Sequence, residues 1–324
     1  MTILPAARER IAERQAHLLR VREHVVIDAD THPSDPRTLP PAMAARVAAD
    51  PGYFHGRPIS GEELLAELDV SGVDMALAWQ NPAATAYPGD PAGNRAALLA
   101  ANRYVADLAA RHPTRIIPAG WTDPRALGVA AACALAQLCV RELGMPVVKL
   151  NPAQNRFPID DPAVTAVVDA IVAEGAVPAF HFGSDTPFTP AAGLERVALR
   201  HPDHPLIAVH MGGGGGGYVE GEVVYQAARV LGLRRPNLFY VLSAKRDTHI
   251  ESALLAYAAA GPPFSANLAV ASDAPYGRHP DPRVRARPGL LDDQTVQGFM
   301  GRNLADLVIA ADRRLLARAV GRDS

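Results

Sequence analysis

Eight short runs of apolar and β-branched residues recur along the chain, and longer stretches patterned for helices lie between them. Few architectures accommodate that alternation. The runs cover 25–29 (VVIDA), 73–79 (VDMALAW), 115–120 (RIIPAG), 146–150 (PVVKL), 176–180 (AVPAF), 206–210 (LIAVH), 238–242 (LFYVL) and 267–272 (NLAVAS). Short apolar runs bounded by turn residues read as buried strands. The helical stretches 93–110, 125–143, 161–174, 190–200, 220–232 and 248–259 include several opened by Asp-Pro or Thr-Pro and several closed by Gly. No Gly-rich dinucleotide turn follows the first run, and eight strand-helix units fit a closed (β/α)8 TIM barrel better than an open doubly wound sheet.

The remaining segments fit around that barrel. A first helix at 3–20 precedes it and is expected on its outside or across its bottom. The Pro-rich segment 33–60, containing Tyr53, Phe54 and His55, follows the first strand and reads as a lid-like insertion over the catalytic face. The tail at 292–320 reads as two helices completing the outer ring. Residues 1–324 are thus expected to form one domain, with the barrel core at about 25–310.

Composition narrows the class of partner. A formal net charge of −2 supplies no electrostatic reason for nucleic acid or an anionic membrane. Arginines and acids interrupt the N-terminal region where a secretion signal needs an apolar core, and no apolar run reaches membrane length, so a cytoplasmic location is expected. Cys133 and Cys139, six apart on one helical stretch, read as thiols and not as a disulfide.

Five polar positions sit at or just beyond the ends of the apolar runs: Asp30 and His32 in VVIDADTHP, His181 in AFHFG, His210 in AVHMG and Asp273 in ASDAP. The C-terminal rim of a parallel barrel is where side chains from separate strands converge on a reaction, and acids with histidines are the ligands of a divalent ion. Asp30 and His32 have period-two spacing and project the same way. That pair alone is equally the signature of an Asx turn before a Pro-rich loop. Asp28 shares the parity lower in the barrel and must be hydrogen-bonded there. His181 and His210 end successive strands, and ring closure makes Asp273 a neighbour of Asp30 and His32.

In these motifs the chain resembles the amidohydrolase superfamily, and within it the branch of single-metal hydrolases and decarboxylases similar to aminocarboxymuconate semialdehyde decarboxylase. The resemblance spans about 25–310. It implies Asp30, His32, His181 and Asp273 as ligands of one divalent metal ion, Zn or Mn, with Asp273 and His210 as the catalytic pair. An acid at Asp30, where the commonest pattern has histidine, makes the donor set harder and brings Mn²⁺ into contention. Lys149 stands where binuclear relatives carry a bridging carboxylated lysine. With one metal favoured, it is expected to bind a substrate carboxylate or to pair with a buried acid. The resemblance also raises a homodimer.

Other candidates surround the site. Gly212 to Gly217 read either as a flexible loop or as backbone brought close to an anion, and Tyr218 follows them. Arg246 and Arg156 are positively charged candidates for an anionic substrate, and each also suits a solvated or capping role. Trp79 and Trp121 offer stacking surfaces or ordinary top-layer packing. The expected substrate is a small anionic or ring-containing molecule. The first reading is hydrolysis of a C–N or C–O bond by a metal-activated water with Asp273 as base. The alternative is nonoxidative decarboxylation of a small aromatic or unsaturated carboxylic acid; a binding protein built on a barrel is the third class.

Overall fold

The eight apolar runs form eight parallel strands: β1 (Ile27–Thr31), β2 (Met75–Ala78), β3 (Ile116–Trp121), β4 (Val147–Leu150), β5 (Val177–His181), β6 (Leu206–Val209), β7 (Leu238–Leu242) and β8 (Leu268–Val270). They are seen in a computed structural model that describes residues 3–49, 57–183, 187–212, 221–243, 247–277 and 291–320. Hydrogen-bonded neighbours follow chain order from β1 to β8. A parallel bridge between Thr31 and Ala274 joins the ends of the sheet, reinforced by His32 N–H to Ala274 O (2.8 Å) and Asp273 N–H to Asp30 O (2.9 Å). The chain is a (β/α)8 TIM barrel, and this closure lays the last strand's exit beside the first.

The helix starts follow from local chemistry. Asp90, Asp123 and Asp161 each precede a proline, and each side chain accepts backbone N–H groups of the first turn it caps. Such caps contribute about 1 kcal/mol each. The stretch read as one helix over 125–143 is two, Pro124–Leu127 and Val129–Arg141, because Gly128 between them adopts φ 79°, ψ 154°. Only glycine enters that region without strain.

The segment after β1 is partly built. It contains a short 3₁₀ turn (Pro36–Thr38) and a helix (Pro41–Ala49), and a bridge between Pro33 and Ile59 pins its two ends together. Tyr53, Phe54 and His55 lie outside the described residues. A helix at Gly61–Ser71, absent from the sequence reading, follows at once. Ser60 and Glu63 form its capping box, each side chain bonding the other's backbone N–H.

The N-terminal helix, Pro5–Val21, buries Ala7, Ile11 and Leu18 together with Arg14. Arg14 meets the equally buried Asp312 on the last helix, Asn303–Val320, in a bidentate pair at 3.0 and 2.5 Å. The tail enters that helix through Asp293–Gln297 and a π-helical turn at Gly298–Arg302. There a Cβ on Gly301 would stand 2.0 Å from the Val25 carbonyl, so glycine is what lets the turn approach the chain entering β1. No helix among the described residues is long and apolar enough to cross a membrane.

Breaking the Arg14–Asp312 pair from one side strands a buried charge. Arg14→Met is expected to destabilise the protein by about 3–5 kcal/mol in urea unfolding. The double variant Arg14→Met/Asp312→Leu, which removes both charges, is expected to recover most of that loss.

Candidate active site

β1 carries Asp28 and Asp30 in a strand buried throughout. Asp28 is satisfied by backbone: its Oδ1 accepts from Asp30 N–H (3.2 Å) and from Ser272 N–H (2.9 Å) at the end of β8. Asp30 is held by side chains from three further strand ends. Its Oδ1 accepts from the Trp79 indole (2.7 Å) and from the Lys149 ammonium (3.2 Å), and its Oδ2 from the Ser243 hydroxyl (2.6 Å). Burial alone would raise the Asp30 pKa, but Lys149, with His32 and His210, overrides it and holds the carboxyl well below its ordinary range.

His32 and Asp273 complete a group with Asp30. Among the described residues these three offer metal-binding atoms all within 4.8 Å of one another. His32 Nδ1 lies 3.0 Å from the Gln80 carbonyl, which can only accept, so that nitrogen carries the proton. Nε2 then faces Asp30 Oδ1 and Asp273 Oδ1, each at 3.3 Å. A neutral ring would aim its lone pair at two carboxylates, and the arrangement is stable only with a cation among them. A proton supplies it in the absence of metal: burial opposes the charged ring, yet the bonds to Asp273 and Asp30 outweigh burial and raise the His32 pKa to about 9. A divalent ion fits the same place, with imidazole anchored through its other nitrogen to a carbonyl.

The two carboxyl groups are pushed apart. Burial and the charge of Asp30 raise Asp273 to about 6, against the pull of His32. Asp30 is therefore a fixed charge, while Asp273 can exchange a proton near neutrality. Three aromatic rings surround His32: Trp79, Trp121 and Tyr276, with centroids at 6.2, 6.3 and 6.1 Å. The Tyr276 hydroxyl donates to Asn81 Oδ1 (2.7 Å), bridging the loops after β8 and β2.

His181, expected in the metal set, is outside the three-residue group and pairs with His210: Nδ1 of His181 lies 3.1 Å from Nε2 of His210. Burial, then His210 and Lys149, lower its pKa well below the usual value, which keeps the ring neutral. The remaining candidates divide. Lys149 does not reach out to a substrate: it is buried against Asp30, with the Trp79 ring centroid 3.9 Å away, because a buried ammonium needs an anion. Trp79 is likewise fully buried and spends its N–H on Asp30. Arg156 is exposed and caps the short helix Pro152–Asn155 in a left-handed conformation. Tyr218 and Arg246 lie outside the described residues, as do Gly213 to Gly217. Cys133 and Cys139 are free thiols.

The sequence reading passed over Ser243 and Tyr276. Both stand just past a barrel strand, one residue beyond β7 and three beyond Asp273, which is the signal that could have found them.

An eight-stranded barrel with acids and histidines gathered at and just beyond the C-terminal ends of its strands has the layout of a barrel enzyme with its chemistry at that rim. The chain belongs to the amidohydrolase family, whose model, described as Amidohydrolase, matches residues 27–303. No curated protein matches the chain in sequence. Among solved structures it is similar to 2,6-dihydroxybenzoate decarboxylase from Rhizobium, at 15% identity and TM-score 0.64 over 88% of this chain and 98% of that one. It is also similar to a dihydroxybenzoic acid decarboxylase from a Polaromonas species with bound manganese and the inhibitor 2-nitroresorcinol, at 15% and 0.63 over 88% and 96%. A third is 5-carboxyvanillate decarboxylase from Novosphingobium aromaticivorans, complexed with manganese and 4-hydroxy-3-methoxy-5-nitrobenzoic acid, at 15% and 0.65 over 89% and 96%. At these identities the likeness is one of fold.

The competition between proton and metal at His32 has a measurable sign. A metal ion must displace the His32 proton below about pH 9, so affinity rises with pH. Isothermal titration with Mn²⁺ or Zn²⁺ between pH 7 and 9 is expected to show binding tightening by up to about tenfold per pH unit and levelling above that range. A flat profile would separate the metal from His32.

Proposed function

We propose that the protein is a metal-dependent nonoxidative decarboxylase of a small aromatic carboxylic acid. The observation that carries this reading is the buried triad of two carboxyl groups and one imidazole, walled by Trp79, Trp121 and Tyr276. Such an oxygen-weighted set suits a hard divalent ion, Mn²⁺ ahead of Zn²⁺, and a substrate that binds through oxygen. Asp30, His32 and Asp273 would hold the ion, with His181 as the fourth protein donor. Lys149, committed to Asp30 as an ammonium, is not available as a bridging carbamate, which supports one metal in place of two. The named structural relatives are decarboxylases of hydroxylated benzoic acids, and two carry manganese. Those observations favour decarboxylation over the hydrolysis that the sequence suggested first.

When bound, the metal would supply positive charge to the substrate's oxygens. The chain's own residues do the rest. Tyr276, partly exposed beside His32, is the ring that would meet a planar substrate, while the buried Trp79 holds Asp30 through its indole N–H. Asp273 in its acid form gives its proton to the ring carbon bearing the carboxylate. The C–C bond to the carboxylate then breaks, its electron pair stays on the ring, carbon dioxide departs, and Asp273 is left as carboxylate to regain a proton from solvent.

The test is to incubate Mn²⁺-loaded protein with hydroxybenzoic acids labelled with ¹³C at the carboxyl group. Release of ¹³CO₂ with appearance of the matching phenol is expected, without ¹⁸O from labelled water entering the product. Asp273→Asn is expected to lower turnover by at least about 100-fold. No carbon dioxide from these acids, together with ¹⁸O uptake on cleavage of an aromatic amide or ester, would return the hydrolase reading, and normal turnover in the Asn variant would remove Asp273 as the proton carrier.

A further inference from the structure

Ser243 is fully buried one residue past β7 and faces two residues on other strands. Its hydroxyl lies 2.6 Å from Asp30 Oδ2 and 2.8 Å from His210 Nδ1. An ionised carboxylate can only accept, so the single hydroxyl proton goes to Asp30 and the Ser243 oxygen accepts from His210. The Ser243 carbonyl, 3.3 Å from the same nitrogen, is also an acceptor and requires the same proton on Nδ1. In the neutral ring His210 Nε2 is then a lone pair. It can only accept from His181 Nδ1–H, 3.1 Å away. With its proton on Nδ1, neutral His181 keeps the lone pair of Nε2 as a donor for a metal ion. The acceptors fix the proton on His210 Nδ1, and with His210 as a neutral ring the proton between the two imidazoles belongs to His181 Nδ1.

We propose that Ser243 is a positioning residue whose hydroxyl ties Asp30 to His210 and, through His210, presents the Nε2 lone pair of His181 to a divalent cation. This accounts for how His181 belongs to the site although it stands outside the tight group of Asp30, His32 and Asp273. The hydroxyl spans the barrel from β1 to β5 by way of β7 and β6, fixing one proposed ligand with reference to another. The inference rests on reading Asp30 and His181 as ligands of one metal. It does not depend on whether the reaction is decarboxylation or hydrolysis.

The experiment uses no substrate, so failure of the decarboxylase assay and failure of this inference are separable. Mn²⁺ affinity is measured by titration calorimetry for wild type, Ser243→Ala and Ser243→Thr, alongside the melting temperature of each metal-free protein. Ser243→Ala is expected to weaken Mn²⁺ binding by about 10- to 100-fold alongside a lowered metal-free melting temperature, because a buried bond to Asp30 is lost, and Ser243→Thr, which keeps the hydroxyl, to bind close to wild type. Unchanged affinity in Ser243→Ala, or a loss in Ser243→Thr as large as in Ser243→Ala, would overturn the proposal. If Ser243→Ala does not fold, two-bond ¹H–¹⁵N spectra of histidine-labelled wild type loaded with diamagnetic Zn²⁺ decide. Protons on Nδ1 of both His181 and His210 are expected, and a proton on Nε2 of His181 would refute the assignment.

Discussion

The mouth of the barrel is organised around one buried charge, the Asp30 carboxylate. Taking that group out of water is costly unless every lone-pair direction is answered. The answers come from four places in the chain: Trp79 after β2, Lys149 in β4, Ser243 after β7, and His32 two residues on. Each partner has to be delivered by a different strand, so the charge is satisfied only when the ring of strands is complete. Lys149 has the converse need. Its ammonium finds Asp30 on one side and the faces of Trp79 and Trp121, with centroids at 3.9 and 5.3 Å, on others. Burial lowers the Lys149 pKa, while Asp30 and Asp273 work to keep it charged.

That mutual dependence also explains what the sequence could and could not reveal. The strands were legible because their apolar runs are short and bounded by turn residues. The main error is at β1, read as 25–29 and found at Ile27–Thr31. Polar residues ordinarily mark where a buried strand stops, but here Asp28 and Asp30 lie inside the strand, since backbone N–H groups and distant side chains satisfy them. The helix Gly61–Ser71 was missed although its capping box is written as Ser60 and Glu63. The rim position of the five polar residues followed from topology alone. Which of them face each other did not: nothing in the local sequence of Lys149 says that its anion is Asp30, or that His181 turns toward His210.

Two of the residues proposed for chemical roles sit on strained backbone. His210 and Asp273 adopt φ of 77° and 65°, in the left-handed region that non-glycine residues enter at a cost of about 1–3 kcal/mol. Neither is left to relax. His210 N–H donates to Val241 O at 2.9 Å, and Asp273 N–H donates to Asp30 O at 2.9 Å. Beyond Asp273 the chain turns so tightly that a Cβ on Gly277 would stand 1.8 Å from Ser272 O, which leaves glycine as the residue the turn accepts.

The strain separates the two carboxyl groups by more than their ionisation. Asp30 lies in β1 where the pairing with β2 shifts register between Asp28 and Thr31, so its carboxylate is fixed by its side-chain partners in or just past β2, β4 and β7. Asp273 follows β8 on a turn, with its carboxyl 13% exposed where that of Asp30 is sealed. A group that must give up and regain a proton needs a path to solvent and freedom to change charge, and a group that anchors a cation needs neither. The backbone bond from Asp273 N–H to Asp30 O joins them across the seam of the barrel. One carboxyl group is thereby kept as a permanent charge and the other, raised to about 6, is the one suited to the proposed role of proton carrier, within reach of the same imidazole nitrogen.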